Sequence, residues 1–441
     1  MTIAMNDELQ ALLARDSRRV IILDDDPTGT QTVSEVSVIL KPALAAYRAF
    51  FQGRERAVFV LTNTRAMPET EARALVRTVR AEVNLAAREA GETAAFLLRG
   101  DSTLRGHIFE EIDELADGDA VSLFVPAFPE GGRKTKGGVH YLRLGEADVP
   151  VAQTEFAQDP VFGYASATMA EWAAERGGGR KAVLVPLLEL REKGSQAVAR
   201  RLLEAPAGSV VIPDAEKVDD IRIIAAGLLQ AEAQGKRIVV RSASTLAAIR
   251  AGLEGRAARP VTAAEKLLVV CGSHTAATTR QLQLLADRHG PAIVLPTDRI
   301  IGGDREAAAL EAAEQLRSGL AERGIAILAS ERVRRVEHGD LASGSAVMDM
   351  LTQIVSRLRG EFDAIVCKGG ITSAQMATDG IGVGQARVIG QLEPGVSLWE
   401  LRQENGCVMP YAVIPGNVGH NRTMLDVVAS FQAPTESATG G

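Results

Sequence analysis

The chain has 441 residues, of which 46% are hydrophobic, and a formal net charge of −7 at pH 7. This length exceeds what one hydrophobic core usually serves and predicts at least two domains. The acidic balance offers no basic face to nucleic acid or to an anionic membrane surface, and no run of about 18 apolar residues predicts a transmembrane helix. We therefore expect a cytoplasmic protein that binds neither nucleic acid nor membranes.

Short apolar runs alternate with helical stretches through the first half of the chain. A long helix is predicted over 68–91, because this segment opens with proline and acidic residues and closes at Gly91. The apolar runs lie at 18–23, 57–61, 94–98, 121–125, 181–185, 208–212 and 236–240. This alternation predicts a doubly wound α/β domain with a mainly parallel sheet.

The same pattern restarts after a small, charged and proline-containing segment at 251–266. A helix is predicted over 305–322, and apolar runs lie at 266–271, 291–295, 325–329, 363–367 and 411–415. We expect a second doubly wound α/β domain with a mainly parallel sheet. The predicted boundaries are 1–255 for the first domain and 264–441 for the second, with a hinge near 251–266.

Polar side chains follow successive strands of the first domain. Ligands of open α/β sheets bind at the carboxyl ends of the strands, so these junctions are the expected place for a site. The candidates are Asp24, Asp25, Asp26, Thr28, Arg65, Asp101, Ser102, Arg105 and Arg133. Aspartate, serine and threonine are also ordinary turn and cap residues, so a single junction is weak evidence. Together, the junctions predict a site of carboxylates, hydroxyls and guanidinium groups.

The strand ends of the second domain run into glycines and hydroxyl residues instead. Glycine lets a backbone approach a phosphate closely, and successive amide groups can hold its charge. The candidates for a nucleotide are Ser273, Thr275, Lys368, Gly369, Gly370, Ile371, Thr372, Ser373, Gly416 and Asn417. The alternative is a set of tight turns with Ser or Thr caps, and for Lys368 a solvated strand end. No Walker loop is present.

The aspartates after the first strand are compatible with two phosphate chemistries. Asp24, Asp26 and Thr28 resemble the nucleophile motif of haloacid-dehalogenase-type phosphatases, in which one aspartate is phosphorylated and another acts as acid and base. The lysine and the late acidic pair of that family do not appear in the expected order. This hypothesis also leaves the second domain unexplained.

A second resemblance covers both domains. In the first half it is carried by LDDDPTGTQTV (23–33), NTRAMPE (63–69), RGDSTLRGH (99–107), PAFPEGGRKTKGGVHY (126–141) and TEFAQDPVFGY (154–164). In the second half it is carried by VVCGSHTAATTRQL (269–282), CKGGITSAQMATDGIGV (367–383) and YAVIPGNVGH (411–420). These motifs resemble the four-carbon acid sugar kinase family. The resemblance implies a sugar-acid domain, a nucleotide domain, and phosphorylation of threonate, erythronate or oxo-tetronate by ATP.

Two positions depart from the common pattern of that family. The pair Asp26-Pro27 and the isoleucine Ile371 in the GGxT loop resemble a branch linked to carboxylase-like enzymes of sugar-acid breakdown. This branch adds a branched five-carbon acid, 3-oxo-isoapionate, to the candidate substrates. A non-catalytic sensor of sugar acids or nucleotides is a third possibility beside the kinase and the phosphatase.

Phosphoryl transfer depends on positioning and charge neutralisation, and this requirement suggests roles. We expect Asp25 and Asp26 to bind substrate hydroxyls, and one of them, or Asp101, to accept the proton. Thr28 and Ser102 are further substrate contacts.

The substrate carboxylate needs a cationic partner, and Arg65, Arg105 and Arg133 are the candidates because guanidinium binds carboxylates bidentately. Arg65 and Arg105 could equally form surface ion pairs. ATP and Mg²⁺ are the expected cofactors, with the metal ligands unassigned. A homodimer is left open.

Overall fold

The computed structural model describes residues 2–253, 255–332, 341–403, 405–416 and 418–432. Its contacts divide the chain into two compact units. The N-terminal unit comprises Met1–Thr32 and Pro42–Glu254, and the C-terminal unit comprises Val33–Lys41 and Gly255–Gly441. The nine-residue excursion of 33–41 into the C-terminal unit was not predicted from the sequence.

The strands and helices are numbered in chain order. The strands are β1 Arg19–Asp24, β2 Val36–Ile39, β3 Ala57–Leu61, β4 Ala94–Arg99, β5 Val121–Val125, β6 Arg133–Lys136, β7 Val139–Leu144, β8 Ala147–Pro150, β9 Ala182–Val185, β10 Val210–Pro213, β11 Ile238–Ser242, β12 Leu267–Cys271, β13 Ile293–Leu295, β14 Ile325–Ser330, β15 Ala364–Lys368, β16 Gln385–Glu393, β17 Val396–Arg402 and β18 Val408–Ile414. The helices are α1 Thr2–Arg15, α2 Leu44–Gln52, α3 Glu69–Glu89, α4 Ile108–Leu115, α5 Met169–Arg176, α6 Leu187–Lys193, α7 Ser195–Glu204, α8 Val218–Ala233, α9 Ser244–Ala251, α10 Ala276–His289, α11 Thr297–Ile301, α12 Arg305–Arg323, α13 Leu341–Arg357, α14 Gly370–Gln375 and α15 Thr423–Gln432.

A parallel sheet forms the core of the N-terminal unit. Its strand order is β3-β1-β4-β11-β5-β10-β9, and every neighbouring pair is parallel. The strands β1, β3 and β5 are almost fully buried, as the continuous apolar runs predict for a sheet covered on both faces. The predicted doubly wound α/β fold is confirmed here. A small antiparallel sheet, β6-β7-β8, was not predicted.

The helix α3 shows how the sequence directs local structure in this unit. It begins after Pro68, carries Glu69 and Glu71 in its first turn, and ends just before Gly91, which has φ +70°. Acidic residues near a helix N-terminus interact favourably with its dipole, and glycine adopts positive φ without strain. Valines at 76, 79 and 83 place one apolar face against the core.

The sheet of the C-terminal unit is parallel in one half and antiparallel in the other. Its strand order is β13-β14-β12-β15-β18-β17-β16-β2. The pairs up to β15-β18 are parallel, and those from β18-β17 to β16-β2 are antiparallel. The parallel strands are the ones that the apolar runs predicted, whereas β16, β17 and β2 were missed.

Among the residues that the structure describes, none of the helices combines the length and the hydropathy needed to cross a bilayer.

Candidate active site

The strands β3, β1, β4 and β11 lie side by side, so their carboxyl ends share one edge of the N-terminal sheet. Asp24 is in register with Leu61 on one side and with Arg99 on the other. Ser242 on β11 is in register with Arg99. After β1 the chain turns into a short 3-10 helix, Pro27–Thr32. The predicted junction residues are thereby brought together, as expected for parallel strands.

Arg65 connects the aspartates of this edge. Its Nη2 lies 3.0 Å from Asp25 Oδ1 and 3.1 Å from Asp26 Oδ2, and its Nη1 lies 3.9 Å from Asp101 Oδ2. The side chain is 18% exposed, so these ion pairs are partly buried. Burial alone would raise the pKa of Asp26, but the charges of Arg65 and Arg99 hold it below its usual value.

Asp101 lies at the same edge, and its side chain is partly accessible, as is that of Asp26. Its Oδ2 accepts a hydrogen bond from the Thr103 hydroxyl and lies 2.7 Å from Arg105 Nε. No donor among the described residues meets its Oδ1. Burial disfavours its charge, yet Arg105 and Arg65 hold the pKa of Asp101 well below its usual range. Asp101 is therefore ionised, with one oxygen free to meet a ligand.

Arg133 differs from the other arginines of this region. It begins β6, lies partly buried, and donates to the Gly131 carbonyl. Its Nε is buried without a hydrogen-bond partner, and it forms no ion pair with any described residue. Burial lowers the pKa of Arg133, an effect that Asp101 opposes and Arg105 reinforces. By contrast, Arg105 already pairs with Asp101. Both arginines lie over aromatic rings, Arg105 over Phe156 at 4.9 Å and Arg133 over Phe128 at 5.9 Å.

The predicted hydroxyl residues Thr28 and Ser102 lie at the same edge. The Thr28 amide donates to Asp26 Oδ1 at 2.8 Å, which fixes the carboxylate from the side opposite Arg65. Ser102 is buried, and its carbonyl oxygen lies 2.8 Å from His140 Nε2. Burial lowers the pKa of His140 to about 4, so this histidine is neutral at physiological pH.

Asp24 is placed differently from the phosphorylated aspartate of a phosphatase. Its side chain is 2% exposed, and its Oδ1 lies 3.0 Å from Arg99 Nη1. A Cβ at Gly29 would lie 2.1 Å from Asp24 Oδ2, so the backbone of the following helix covers the carboxylate. Burial raises the pKa of Asp24 to about 7 against the lowering effect of Arg99. A nucleophile needs an open approach, and this aspartate has none.

Sequence reasoning missed the buried charges beneath the edge. Arg241 lies 2.9 Å from Asp25 and also contacts Glu111, which accepts the hydroxyl of Thr64. Arg99 is the partner of Asp24. An arginine near the end of an otherwise apolar strand was the only local signal for Arg241. Its partners lie 130 and 216 residues away in sequence, so no local pattern could reveal them.

In the C-terminal unit, the loops that follow β12, β15 and β18 meet at one edge. Thr275 caps α10 and donates its hydroxyl to the Gly416 carbonyl at 2.8 Å. A Cβ at Gly272 would lie 2.2 Å from Thr372 Oγ1, and one at Gly416 would lie 2.7 Å from Ser273 Oγ. The loops thus approach one another only because these positions are glycine.

The remaining predicted nucleotide residues are distributed around these loops. Gly369 has φ +120° and precedes α14, of which Gly370 is the first residue. The Ser373 hydroxyl donates to the Gly369 carbonyl at 2.8 Å, and Ile371 is 44% exposed. Asn417 lies outside the described residues.

Lys368 is buried and binds two backbone carbonyls, so the alternative of a solvated residue at a strand end was wrong. Its Nζ donates to the carbonyls of Pro415 at 2.8 Å and Val418 at 3.0 Å, and the residue is fully buried. Burial lowers the pKa of Lys368 to about 8. Arg332, which the sequence did not single out, donates to the Ser273 carbonyl. Both cations therefore stabilise the backbone of the loops.

One group among the described residues has the spacing of a metal site, which the sequence did not indicate. Single ligand atoms of Glu393, His420 and Asp426 all lie within 4.8 Å of one another. However, His420 Nδ1 accepts the Arg422 amide at 3.2 Å, and Asp426 pairs with the Arg422 side chain at 3.2 Å. Two of the three groups thus already have protein partners.

Two family models match the chain, one on each unit. A sugar-binding N-terminal domain matches residues 20–250, and a nucleotide-binding C-terminal domain matches residues 268–424. The chain therefore belongs to the family built from these two domains, the four-carbon acid sugar kinase family. The resemblance found in the sequence motifs is confirmed.

Related proteins of this family act on four-carbon sugar acids. A D-threonate kinase of Cupriavidus necator is 26% identical over 364 residues, which cover 80% of this chain and 84% of the relative. A D-erythronate kinase of Heliobacterium modesticaldum is 28% identical over 288 residues, and a D-threonate kinase of Bordetella bronchiseptica is 33% identical over 270 residues. This chain spans only 61% and 58% of the length of these two relatives.

Solved structures share the fold. A protein of Salmonella typhimurium LT2 superposes with a TM-score of 0.70 at 18% identity, over 94% of this chain and 100% of the other. A Haemophilus influenzae protein superposes with a TM-score of 0.64 at 19% identity, over 93% of this chain and 100% of the other.

Proposed function

We propose that this protein is a kinase that transfers the γ-phosphoryl group of ATP to a hydroxyl of a small sugar acid. The candidate acids have four carbons or a branched chain of five, such as threonate, erythronate, 3-oxo-tetronate and 3-oxo-isoapionate. The family, with its sugar-binding and nucleotide-binding domains, and the names of the relatives support this proposal. The bond from the γ-phosphorus to the ADP oxygen breaks, and a bond to the substrate oxygen forms.

The observation that carries the proposal is that the partly buried guanidinium of Arg133 has no carboxylate partner among the described residues. Partial burial of a cation without an anionic partner is costly, and a bound carboxylate would relieve that cost. Arg65 and Arg105 already have carboxylate partners, so Arg133 is the better candidate for the substrate carboxylate. The neighbouring carboxylate of Asp101 would then face the hydroxyl groups of the same small molecule.

The carboxylates divide into accessible and enclosed groups. We assign Asp101, with its free Oδ1, to orienting the reacting hydroxyl and accepting its proton, and Asp26 to a second hydroxyl. Both are held ionised by neighbouring arginines, and orientation is the main task of such a base in phosphoryl transfer. Asp25 has both oxygens engaged by arginines and is 2% exposed, so we assign it a positioning role.

The nucleotide is assigned to the loops of the C-terminal unit. Ser273, Thr275, Thr372 and the glycines around them offer hydroxyl and amide groups to ribose and phosphates. Mg²⁺ binds oxygen ligands and usually takes one or two carboxylates besides the nucleotide phosphates, and we assign no residue of this chain to it. When bound, it neutralises phosphate charge.

The decisive experiment measures ADP formation with ATP and Mg²⁺ against both enantiomers of threonate and erythronate, their 2- and 3-oxo derivatives and 3-oxo-isoapionate. Turnover on one acid and not on the matching sugar alcohol is the expected result. ATP binding without turnover on any acid would favour the sensor. Release of phosphate from phosphorylated acids, with no need for ATP, would favour the phosphatase.

A further inference from the structure

Arg241 lies near the end of β11, is 1% exposed, and bridges two buried carboxylates. Its Nη2 lies 2.9 Å from Asp25 Oδ2, and its Nη1 contacts Glu111 Oε2. Thr64 donates its hydroxyl to the other oxygen of Glu111. A guanidinium presents parallel donors in a rigid fork, so it can hold two carboxylates in fixed relative positions.

The backbone leaves room for this guanidinium at glycine positions. A Cβ at Gly100 would lie 2.3 Å from Arg241 Nη2, and one at Gly106 would lie 3.1 Å from Asp25 Oδ2. Gly106 also has φ +121°, a conformation that favours glycine. Both glycines belong to the loop after β4 that carries Asp101, so this loop is packed directly on the buried pair.

Asp25 links the buried pair to the accessible carboxylates. Its Oδ1 accepts from Arg65, whose Nη2 also lies 3.1 Å from Asp26 Oδ2. Positive and negative groups thus alternate from Glu111 through Arg241, Asp25 and Arg65 to Asp26. Removing one member leaves an uncompensated buried charge on the next, so the position of each group depends on its neighbour.

We propose that Arg241, held by Glu111, is a positioning residue that fixes Asp25 and Arg65 and thereby orients Asp26 and Asp101 toward the substrate. The kinetic consequence of this inference rests on the proposed kinase function, whereas its geometric consequence does not. Because the accessible carboxylates act through orientation, their displacement should reduce kcat more than it changes the KM for nucleotide.

Arg241→Lys tests this inference, because an ammonium retains the charge and loses the fork that spans two carboxylates. Arg250→Lys is the matched control. Arg250 is also buried and lies 2.6 Å from Asp16 and 3.2 Å from Glu232, and Asp16 precedes β1 at the other end of that strand. We expect Arg241→Lys to reduce kcat about 10- to 100-fold at an unchanged KM for ATP, and Arg250→Lys to lose only thermal stability.

A crystal structure of Arg241→Lys gives a readout that does not depend on activity. Loss of the contact between Arg65 and Asp26 supports the inference, and an unchanged contact together with wild-type kcat overturns it. If the wild-type protein turns over no acid, the proposed function fails while the structural comparison still decides the positioning role.

Glu111→Gln retains the shape of the side chain and carries the test if Arg241→Lys does not fold. The amide removes the negative charge that anchors Arg241 from behind, so the link to Asp25 and Arg65 should loosen. We expect a several-fold lower kcat at an unchanged KM for ATP. A folded Glu111→Gln protein with wild-type kcat would overturn the positioning role.

Discussion

Arg133 provides the sharpest residue-level prediction, because its partly buried guanidinium has no carboxylate partner in the described part of the chain. Charge-assisted hydrogen bonds are worth about 1.5–3 kcal/mol, which corresponds to about a 10- to 100-fold change in binding. We therefore expect Arg133→Met to raise the KM for the sugar acid by about that factor, with the KM for ATP unchanged. Steady-state kinetics with each substrate varied in turn measures this separation.

The control for this prediction is Arg143→Met on β7. Arg143 is 47% exposed and pairs with Asp148 and Glu146 at the surface. Its replacement should therefore leave the KM for the sugar acid and the KM for ATP unchanged. An equal rise of the KM for acid and for ATP in Arg133→Met would contradict the assignment of Arg133 to the substrate carboxylate.

Asp24 provides a prediction about pH. Its pKa of about 7 in the folded protein lies above the ordinary value of 3.8. Between these values the folded state binds more protons than the unfolded state, so this group makes the protein less stable as pH rises, by up to about 1.4 kcal/mol per pH unit. Asp24→Asn cannot titrate and should lose this contribution.

Urea unfolding at pH 5 and pH 8 measures the effect as a difference between variant and wild type. From pH 5 to pH 8, the free energy of unfolding of Asp24→Asn should rise relative to that of wild type. The exposed Asp113 in α4 serves as the control, and Asp113→Asn should show no such change. A parallel pH dependence in wild type and Asp24→Asn would refute the raised pKa.

The candidate site was predictable from sequence only where its polar side chains come directly after a strand. Asp26, Arg65 and Asp101 were found because parallel strands bring their carboxyl ends to one edge. The distinction between accessible Asp101 and enclosed Asp25 was not predictable, because it depends on Arg241 far away in the sequence. The adjacent Asp25 and Asp26 likewise share one local signal, yet their side chains are 2% and 14% exposed.

Among the elements, the parallel strands were predicted because they are continuous apolar runs with both faces buried. The strand β2 has only four residues, Val36–Ile39, and its partner β16 lies almost 350 positions later in the chain. The strand β16 is also interrupted by irregular pairing near Gly390. Short or irregular strands whose pairing is decided by distant segments leave too little periodicity to recognise.

The nucleotide loops give a prediction at this scale. A methyl group at position 272 would overlap Thr372 Oγ1, so Gly272→Ala must displace the loop after β15. Overpacking of this kind costs about 1–3 kcal/mol. If the loops hold the nucleotide, calorimetry should show ADP binding weakened by about 5- to 100-fold.

Gly384→Ala is the control for the loop prediction, because a Cβ there meets no atom within 4 Å. It lies in the same unit and should retain the affinity for ADP. An affinity of Gly272→Ala for ADP equal to that of wild type would contradict the assignment of these loops to the nucleotide.

At the scale of the whole molecule, the candidate sites of the two units differ in their chemical groups. The edge of the N-terminal sheet is built from paired carboxylates and guanidinium groups, whereas the edge of the C-terminal sheet is built from glycines, hydroxyls and carbonyls. A sugar acid offers a carboxylate and hydroxyls, and a nucleotide offers phosphates and a ribose. Each set of protein groups complements one of these substrates, which predicts that the two binding functions can be lost separately.

Asp101→Asn tests this division in the full-length protein. Loss of a positioned base typically reduces turnover by about 10²- to 10⁴-fold, so kcat should fall by that factor. Binding of ADP should stay within about twofold of wild type, because the nucleotide loops belong to the other unit. Asp148→Asn, which alters an exposed carboxylate paired with Lys134 in the same unit, should change neither quantity. A loss of ADP affinity in Asp101→Asn as large as its loss of turnover would contradict the separation, since one carboxylate would then serve both substrates.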